Sequence, residues 1–333
     1  MVIGSRPLYD NLADAKRFVA PAAWPSLLRA AERSLNVAVI GPRGVGKTTV
    51  LRQLQFALRE QERRCVFVDA TAVDDVLELA TRIRDSLGGQ PAPVGSAAFL
   101  AADAFRRQNG HVAGASRALA TLLREIGGAE ATCILLDASA SGSACFELFG
   151  RMRDVLWQQD HEWVLAIEDT DRATALKPPA DAFFDSLISF DPWPVDKLAE
   201  VLAHRGDTGE QWPPDLLLSA AAGAQGSPRE AVRALSDAAV HGYDPAETLE
   251  ARARLVDLAS AEGRPAGMLM AELLQRGQAS PSDEDLQRTL GVSRARLNQL
   301  FRQLLERRLV RAETERADGP GRPRTVYRPA LPQ

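Results

Sequence analysis

Nothing limits the fold of this chain as tightly as the run Gly41-Pro-Arg-Gly-Val-Gly-Lys47-Thr48-Thr49. The spacing is glycine, four residues, then Gly-Lys-Thr. An apolar run, Val37–Ile40, comes just before it, and an amphipathic stretch carrying Val50, Leu51, Leu54 and Leu58 comes just after. That strand–loop–helix order is the context a phosphate-binding loop requires. Residues Gly41, Pro42, Arg43, Gly44, Val45, Gly46, Lys47, Thr48 and Thr49 are the expected ligand loop. Its glycines allow the backbone to turn N–H groups inward around a phosphate chain. The helix behind it adds the positive end of its dipole. Lys47 is placed for the terminal phosphates and the Thr48 hydroxyl for Mg²⁺, so ATP with Mg²⁺ is the expected ligand. Lysine is scarce: Lys16, Lys47, Lys177 and Lys197 are the only four, and one stands where the motif demands it. The plainer reading, a glycine-rich turn, leaves the flanking strand and helix patterns unexplained.

Residues 25–190 alternate strand-like and helix-like segments, which predicts an α/β domain with a parallel sheet. The expected strands are Asn36–Ile40, Cys65–Asp69, Cys133–Asp137, Trp163–Ile167 and Ser186–Phe190. The long gap between the second and third strands has room for two or three helices, broken at Gly88–Gly95, where glycine and proline cluster. From Asp191 to Ser260 the pattern is helical throughout, with helices expected at Val195–His204, Pro214–Ala222, Pro228–Ala239 and Pro245–Ala259. Pro228 and Pro245 sit where a missing N–H costs nothing. Glu262–Pro265 reads as a linker.

Cys133-Ile-Leu-Leu-Asp137 is an apolar strand ending in an acid, downstream of the loop and in the order that lets Asp137 share Mg²⁺ with Thr48. The alternative is a strand whose last aspartate only caps a turn. Ala138 follows, where many such ATPases place a glutamate that activates water. Lacking a positioned base, hydrolysis forgoes a factor of roughly 10²–10⁴. Glu168 and Asp169, at the end of the next strand, are the candidate substitutes; otherwise they belong to a solvated turn.

This order of segments resembles an AAA+ ATPase over about residues 30–240, and within that superfamily the initiator group of origin-recognition ATPases. STAND regulators and transposition-helper ATPases are close neighbours. The resemblance implies a sensor-1-like strand end at Glu168-Asp-Thr170 and a lid entered through Phe190-Asp-Pro-Trp-Pro-Val-Asp-Lys197. Gly226-Ser-Pro-Arg229 looks like the start of the sensor-2 helix, with Arg229 reaching the nucleotide phosphates. Residues near Phe18–Pro25, within an N-terminal segment 1–30, would cover the adenine. It further implies an α/β nucleotide-binding domain at 31–192 and a helical lid at 193–262. The chain departs from the pattern at Ala138 and before the fifth strand, where Leu176–Asp185 holds no arginine finger and Arg172 is the nearest candidate.

The remaining residues, 263–333, read as a winged helix-turn-helix domain. Pro265–Gly277 is a first helix with Met268, Leu269, Leu273 and Leu274 on one face. Ser282 is expected to cap a second helix ending at Leu290. After the turn at Gly291-Val-Ser293 a long helix, Arg294–Arg308, points Leu297, Leu300, Phe301, Leu304 and Leu305 at the core. Leu309–Thr314 and Thr325–Arg328 would pair as a hairpin tipped by Glu315–Arg324. Between Gly291 and Gln333 stand ten arginines against four acids, although the whole chain carries a net charge of −4. Such asymmetry points to an anionic partner, here double-stranded DNA. Ser293, Arg294, Arg296, Asn298 and Arg302 would meet the major groove, and Arg322 and Arg324 the backbone or minor groove. Winged helices also dock proteins, so a protein partner or self-assembly stays open.

Cys65, Cys133 and Cys145 are an odd count suited to buried, reduced thiols, and no Cys/His spacing suggests zinc. No apolar run matches a membrane span, and no secretory leader pattern is seen, so a cytoplasmic protein is expected. The functional expectation is an ATP- and DNA-binding AAA+ protein in which nucleotide state controls the winged helix and hydrolysis is slow or partner-dependent. The alternative is a non-catalytic ATP-bound scaffold, or a STAND-type transcription regulator whose winged helix meets an operator or a protein.

Overall fold

A computed structural model of the chain describes residues 6–73, 75–88, 112–205, 212–241, 245–315 and 324–330. They fall into two compact units. One comprises residues 3–211 and 225–232, the other 212–224 and 233–333.

The first unit is built on a parallel sheet of β1 (Val37–Gly41), β2 (Cys65–Asp69), β3 (Cys133–Asp137), β4 (Glu162–Glu168) and β5 (Ser186–Ser189). The five strands stand where the hydrophobic runs predict them. Their order across the sheet is β2-β3-β4-β1-β5. β4 therefore lies between β1 and β3, with Gly41 in register with Glu168 and Asp137 with Ala166. Central strands read as unbroken apolar runs because helices cover both faces. Successive residues serve opposite faces, as the strand's period of two requires. Val39, Leu135 and Ala166 pack with Leu27 of α1 (Trp24–Glu32) and with Leu51, Leu54 and Leu58 of α2 (Lys47–Glu60). On the other side Ile40, Leu136 and Leu165 meet Ile83 of α3 (Val76–Ser86) and Leu123 of α4 (Val112–Gly127). Asp75 caps α3 by accepting from the Leu77 and Glu78 N–H groups. Most of the expected break at 88–95 lies outside the described residues; Gly88 has a φ of +87°. All three cysteines are buried free thiols. After β5 the chain enters α5 (Val195–Arg205).

The second unit contains α6 (Pro214–Gly223), most of α7 (Pro228–His241), α8 (Pro245–Ala261), α9 (Arg264–Arg276), α10 (Glu284–Leu290) and α11 (Arg294–Glu306), then the antiparallel pair β6 (Val310–Glu315) and β7 (Arg324–Pro329). The expected linker at 262–265 is a tight turn. Only Glu262 and Gly263 separate α8 from α9, and a Cβ on Gly267 would stand 2.1 Å from the Ser260 hydroxyl. Residues from Leu255 to Tyr327 share one core, in which the rings of Phe301 and Tyr327 stack with centroids 4.3 Å apart.

Two expected core residues are not in that core. Met268 is 44% and Leu305 38% exposed, because the buried stripes run through Leu269, Met270 and Leu273, and through Leu297, Leu300, Phe301 and Leu304. Met268 lies about 100° beyond its stripe, and Leu305 about 40° beyond Phe301 at the edge of its own. The cap of α10 also moves from Ser282 to Asp283, whose carboxylate accepts from the Ser280 N–H rather than from the helix.

Candidate functional site

The loop between β1 and α2 has the backbone its sequence demands. Gly44 and Gly46 adopt φ of +86° and +103°, where a side chain is strained. The three glycines answer to different constraints. A Cβ at Gly41 would lie 2.7 Å from the Phe190 carbonyl, and one at Gly44 2.6 Å from the Ser227 hydroxyl. At Gly46 nothing stands within 4 Å, so only its φ requires glycine and the space above it is open. Lys47 is buried, and its Nζ donates to the carbonyls of Gly41 (2.7 Å) and Pro42 (2.9 Å). Burial pulls its pKa below the usual lysine range, against the opposing pull of Glu168, Asp137 and Asp169. The ammonium is held at the loop by its own backbone, ready to donate to an anion there.

Thr48, in the first turn of α2, donates from Oγ1 to Oδ2 of Asp137 at 2.5 Å. The two side chains come from segments 89 residues apart and meet because the β3 end faces the loop across β4. Ser139 donates to the other carboxylate oxygen at 3.3 Å. Burial raises the Asp137 pKa, and the Thr48 and Ser139 hydrogen bonds only partly oppose this. Ala138 is fully buried within the apolar core on the α3 side of the sheet, so its methyl fills that core. Glu168 is the acid that lines the pocket; Asp169 is exposed and does not line it. Burial raises the Glu168 pKa while Lys47 and Arg43 pull it down. Arg172 is exposed and lines no part of the pocket.

Arg43, Lys47 and Arg229 join Arg6 and Arg205 around this pocket. The N–H of Arg229 also donates to the Gly44 carbonyl at 3.3 Å. A second, apolar pocket adjoins the first and is lined by Leu8, Phe18, Val19, Val50, Trp193 and Val201. Of the segment 18–25, then, Phe18 and Val19 reach it. Sequence reasoning missed Arg6, Leu8, Trp193 and Arg205. Arg6 and Arg205 carried no signal among so many arginines. Trp193 carried one, since an indole N–H beside a turn needs an acceptor. The N-terminal strap is tied down by the Leu8 N–H to Thr49 Oγ1 (3.4 Å), Gln53 to the Tyr9 carbonyl (2.6 Å) and Arg205 to the Arg6 carbonyl (2.6 Å).

A cationic loop, an adjoining apolar pocket and a hydroxyl–carboxylate pair together fit a nucleoside triphosphate with Mg²⁺. Thr48 and Asp137 supply the oxygen donors that Mg²⁺ prefers. Burial makes the Asp137 carboxylate costly to the folded state, more than Lys47 and the two hydroxyl donors offset. Its folded pKa is raised, so stability is lost as pH climbs from the unfolded pKa through the folded one. Asp137→Asn is therefore expected to raise the melting temperature at neutral pH without ligand. It should also weaken Mg²⁺-dependent ATP affinity at least about tenfold, because even outer-shell partners of a metal are worth that much. Melting curves and calorimetry with and without Mg²⁺ check both halves. A lowered melting temperature would contradict the assigned cost.

In the second unit Ser293 caps α11, accepting from the Arg296 N–H. Arg294, Arg296, Asn298 and Arg302 are exposed on that helix. Asn298 donates to the Arg294 carbonyl and Arg296 to Gln299. Arg324 pairs with Asp283 at 3.3 Å. Arg322 and the rest of the hairpin tip, 316–323, lie outside the described residues.

Residues 25–180 match the family model of the AAA ATPase domain. No curated protein matches the sequence. Among solved structures the chain is similar to the Aeropyrum pernix ORC1 protein, determined in complex with DNA, with a TM-score of 0.54 and 15% identity over 98% of this chain and 94% of that one. Cdc6p from Pyrobaculum aerophilum aligns over 99% of this chain and 95% of its own, with a TM-score of 0.47 and 14% identity. The Thermotoga maritima RuvB Holliday junction branch migration motor aligns over 93% of each chain, with a TM-score of 0.45 and 15% identity. The likeness to ORC1 is one of fold. No described helix is long and apolar enough to cross a membrane.

Proposed function

With residues 25–180 matching the AAA ATPase domain, we propose that this chain binds ATP with Mg²⁺ and that its nucleotide state governs a C-terminal winged helix bound to double-stranded DNA. One observation carries the nucleotide half: Thr48 and Asp137 paired at the mouth of a glycine loop that holds a buried lysine. Mg²⁺ there supplies charge neutralisation at the phosphates. Lys47 and Arg229 donate to phosphate oxygens, and Thr48 and Asp137 hold the metal. Glu168 is the carboxylate available to take a proton from water. With Ala138 committed to the core, turnover is slow, well below the usual enzyme median of about 10 s⁻¹.

The reading takes 193–262 as a lid that answers to nucleotide and 263–333 as the winged helix. Arg229 stands in the first turn of α7, whose later residues belong to the other unit. Control of DNA binding requires only that ATP bind two lid states with different affinities. The DNA half rests on the exposed arginines of α11 and on the surplus of basic residues after Gly291.

Replacing Arg294, Arg296 and Arg302 by alanine is expected to weaken binding to every duplex and flatten its salt dependence. Each arginine–phosphate pairing removed should take about 0.9 from the slope of log affinity against log salt. Gel shifts at several salt concentrations on the whole chain, with and without ATP, test both claims. An unchanged slope, or no duplex binding, removes DNA from the proposal. The buried Ala138 also favours a second reading, a non-catalytic ATP-bound scaffold or STAND-type regulator. Absence of turnover with duplex DNA present, alongside tight ATP binding, would select it.

A further inference from the structure

A loop that turns its N–H groups toward a phosphate turns its carbonyls the other way, and a buried carbonyl without a donor is costly. Two carbonyls of the loop meet donors from one small assembly. The indole Nε1 of Trp193 donates to the Val45 carbonyl at 3.0 Å. The backbone N–H of Arg229 donates to the Gly44 carbonyl at 3.3 Å, with the Ser227 hydroxyl at 3.5 Å. The two donor segments are themselves joined, since the Trp193 N–H donates to the Gly226 carbonyl at 2.9 Å. The joint is tight. Gly226 has a φ of +81°, and a Cβ there would lie 2.4 Å from Pro192 Cβ and 2.8 Å from the Trp193 nitrogen. Val45 is anchored by its buried side chain in the α2-side core, against which the Trp193 ring is packed. The same ring lines the apolar pocket beside the loop.

We infer that Trp193 is a positioning residue: its indole N–H fixes the carbonyl side of the loop in the phosphate-binding form, while its ring walls the neighbouring pocket. This rests on the nucleotide reading above and adds a residue that no phosphate-loop motif contains. The N–H and the ring are separable. Trp193→Phe keeps an aromatic wall and removes only the donor, leaving the Val45 carbonyl unpaired. Affinity should then drop by about 3- to 10-fold, the range of one hydrogen bond, and by the same factor for ATP and for inorganic tripolyphosphate, which has no base. Trp193→Ala removes the wall as well and should cost ATP a further factor that tripolyphosphate does not show.

The test is competition of ATP and of tripolyphosphate, each with Mg²⁺, against a fluorescent ATP analogue on the whole chain, beside melting curves. Equal reductions for the two ligands in Trp193→Phe support the inference. Unchanged affinities overturn it, as does a reduction confined to ATP, which would make Trp193 a base contact alone. Failure of tripolyphosphate to compete with the wild-type chain while ATP binds also overturns it, because a preformed loop must hold phosphate unaided. If the wild-type chain binds neither ligand, the nucleotide reading itself fails. Should Trp193→Phe lose its cooperative melt, Gly226→Ala carries the same test. It keeps the indole, displaces the backbone that holds Trp193, and should lower both affinities; an unchanged tripolyphosphate affinity overturns the inference.

Discussion

Lys47→Ala is expected to remove ATP binding to the limit of calorimetry while leaving the melting curve close to that of the wild-type chain. Truncating one partner of a desolvated charged contact costs roughly 2–5 kcal/mol, which is about thirtyfold to several thousandfold in affinity. Lys47 is buried and aimed at the loop, so its contacts with a phosphate belong at the strong end of that range. Two opposed effects keep stability nearly level. Alanine relieves the cost of a buried ammonium, and it strands the Gly41 and Pro42 carbonyls that the ammonium now satisfies. An unaltered ATP titration would remove the loop from the site. A collapsed melting curve would instead make Lys47 a structural tie between β1 and α2.

Glu168→Gln should abolish most of whatever turnover the chain has, by about 10²–10⁴-fold, with ATP affinity little changed. Glu168 ends the strand that separates the two halves of the site, in register with Gly41, and among the described residues it is the one carboxylate that lines the pocket. Burial raises its pKa. A base must be deprotonated to act, and a raised pKa strengthens it. The acid limb of the rate profile should therefore lie above the pH at which an ordinary glutamate titrates. The glutamine variant should lack that limb. Equal turnover in the two proteins would show that Glu168 does not supply the base. No turnover in the wild-type chain would hand the case to the scaffold reading.

Local features are legible in the sequence. The loop, its strand and its helix are contiguous, so spacing alone identifies Gly41 to Thr49, and the apolar runs mark the sheet. Asp137 is legible through order along the chain. The order of strands across the sheet is not, because β4 enters between two earlier strands through pairings far apart in sequence. For the same reason the glutamate–aspartate pair at 168 and 169 cannot be divided from sequence; the register of β4 with β1 turns Glu168 to the pocket and leaves Asp169 exposed. Met268 and Leu305 show a different limit. Each satisfies a helical pattern, and only the width of the buried stripe decides that they stay in solvent. Trp193 and Ser227 act through backbone carbonyls, which leave no mark on the residues that own them.

The place of β4 has a consequence for how the chain acquires its shape. β1 is made early, yet its neighbours in the sheet are β4 and β5, and Asn36 beside it pairs with Trp163, 127 residues later. A nascent chain emerging in order exposes the apolar Val37–Ile40 run through the synthesis of everything up to residue 168, with neither partner strand available. At a synthesis rate of roughly 5–20 residues per second that interval lasts on the order of ten seconds. Closing so long a loop must precede any reward from the pairing, which places this unit among slow, non-local folders. Insertion of β4 joins β1 to β3 and in the same event carries Glu168 to its place beside Gly41, so the centre of the sheet and the centre of the pocket mature together.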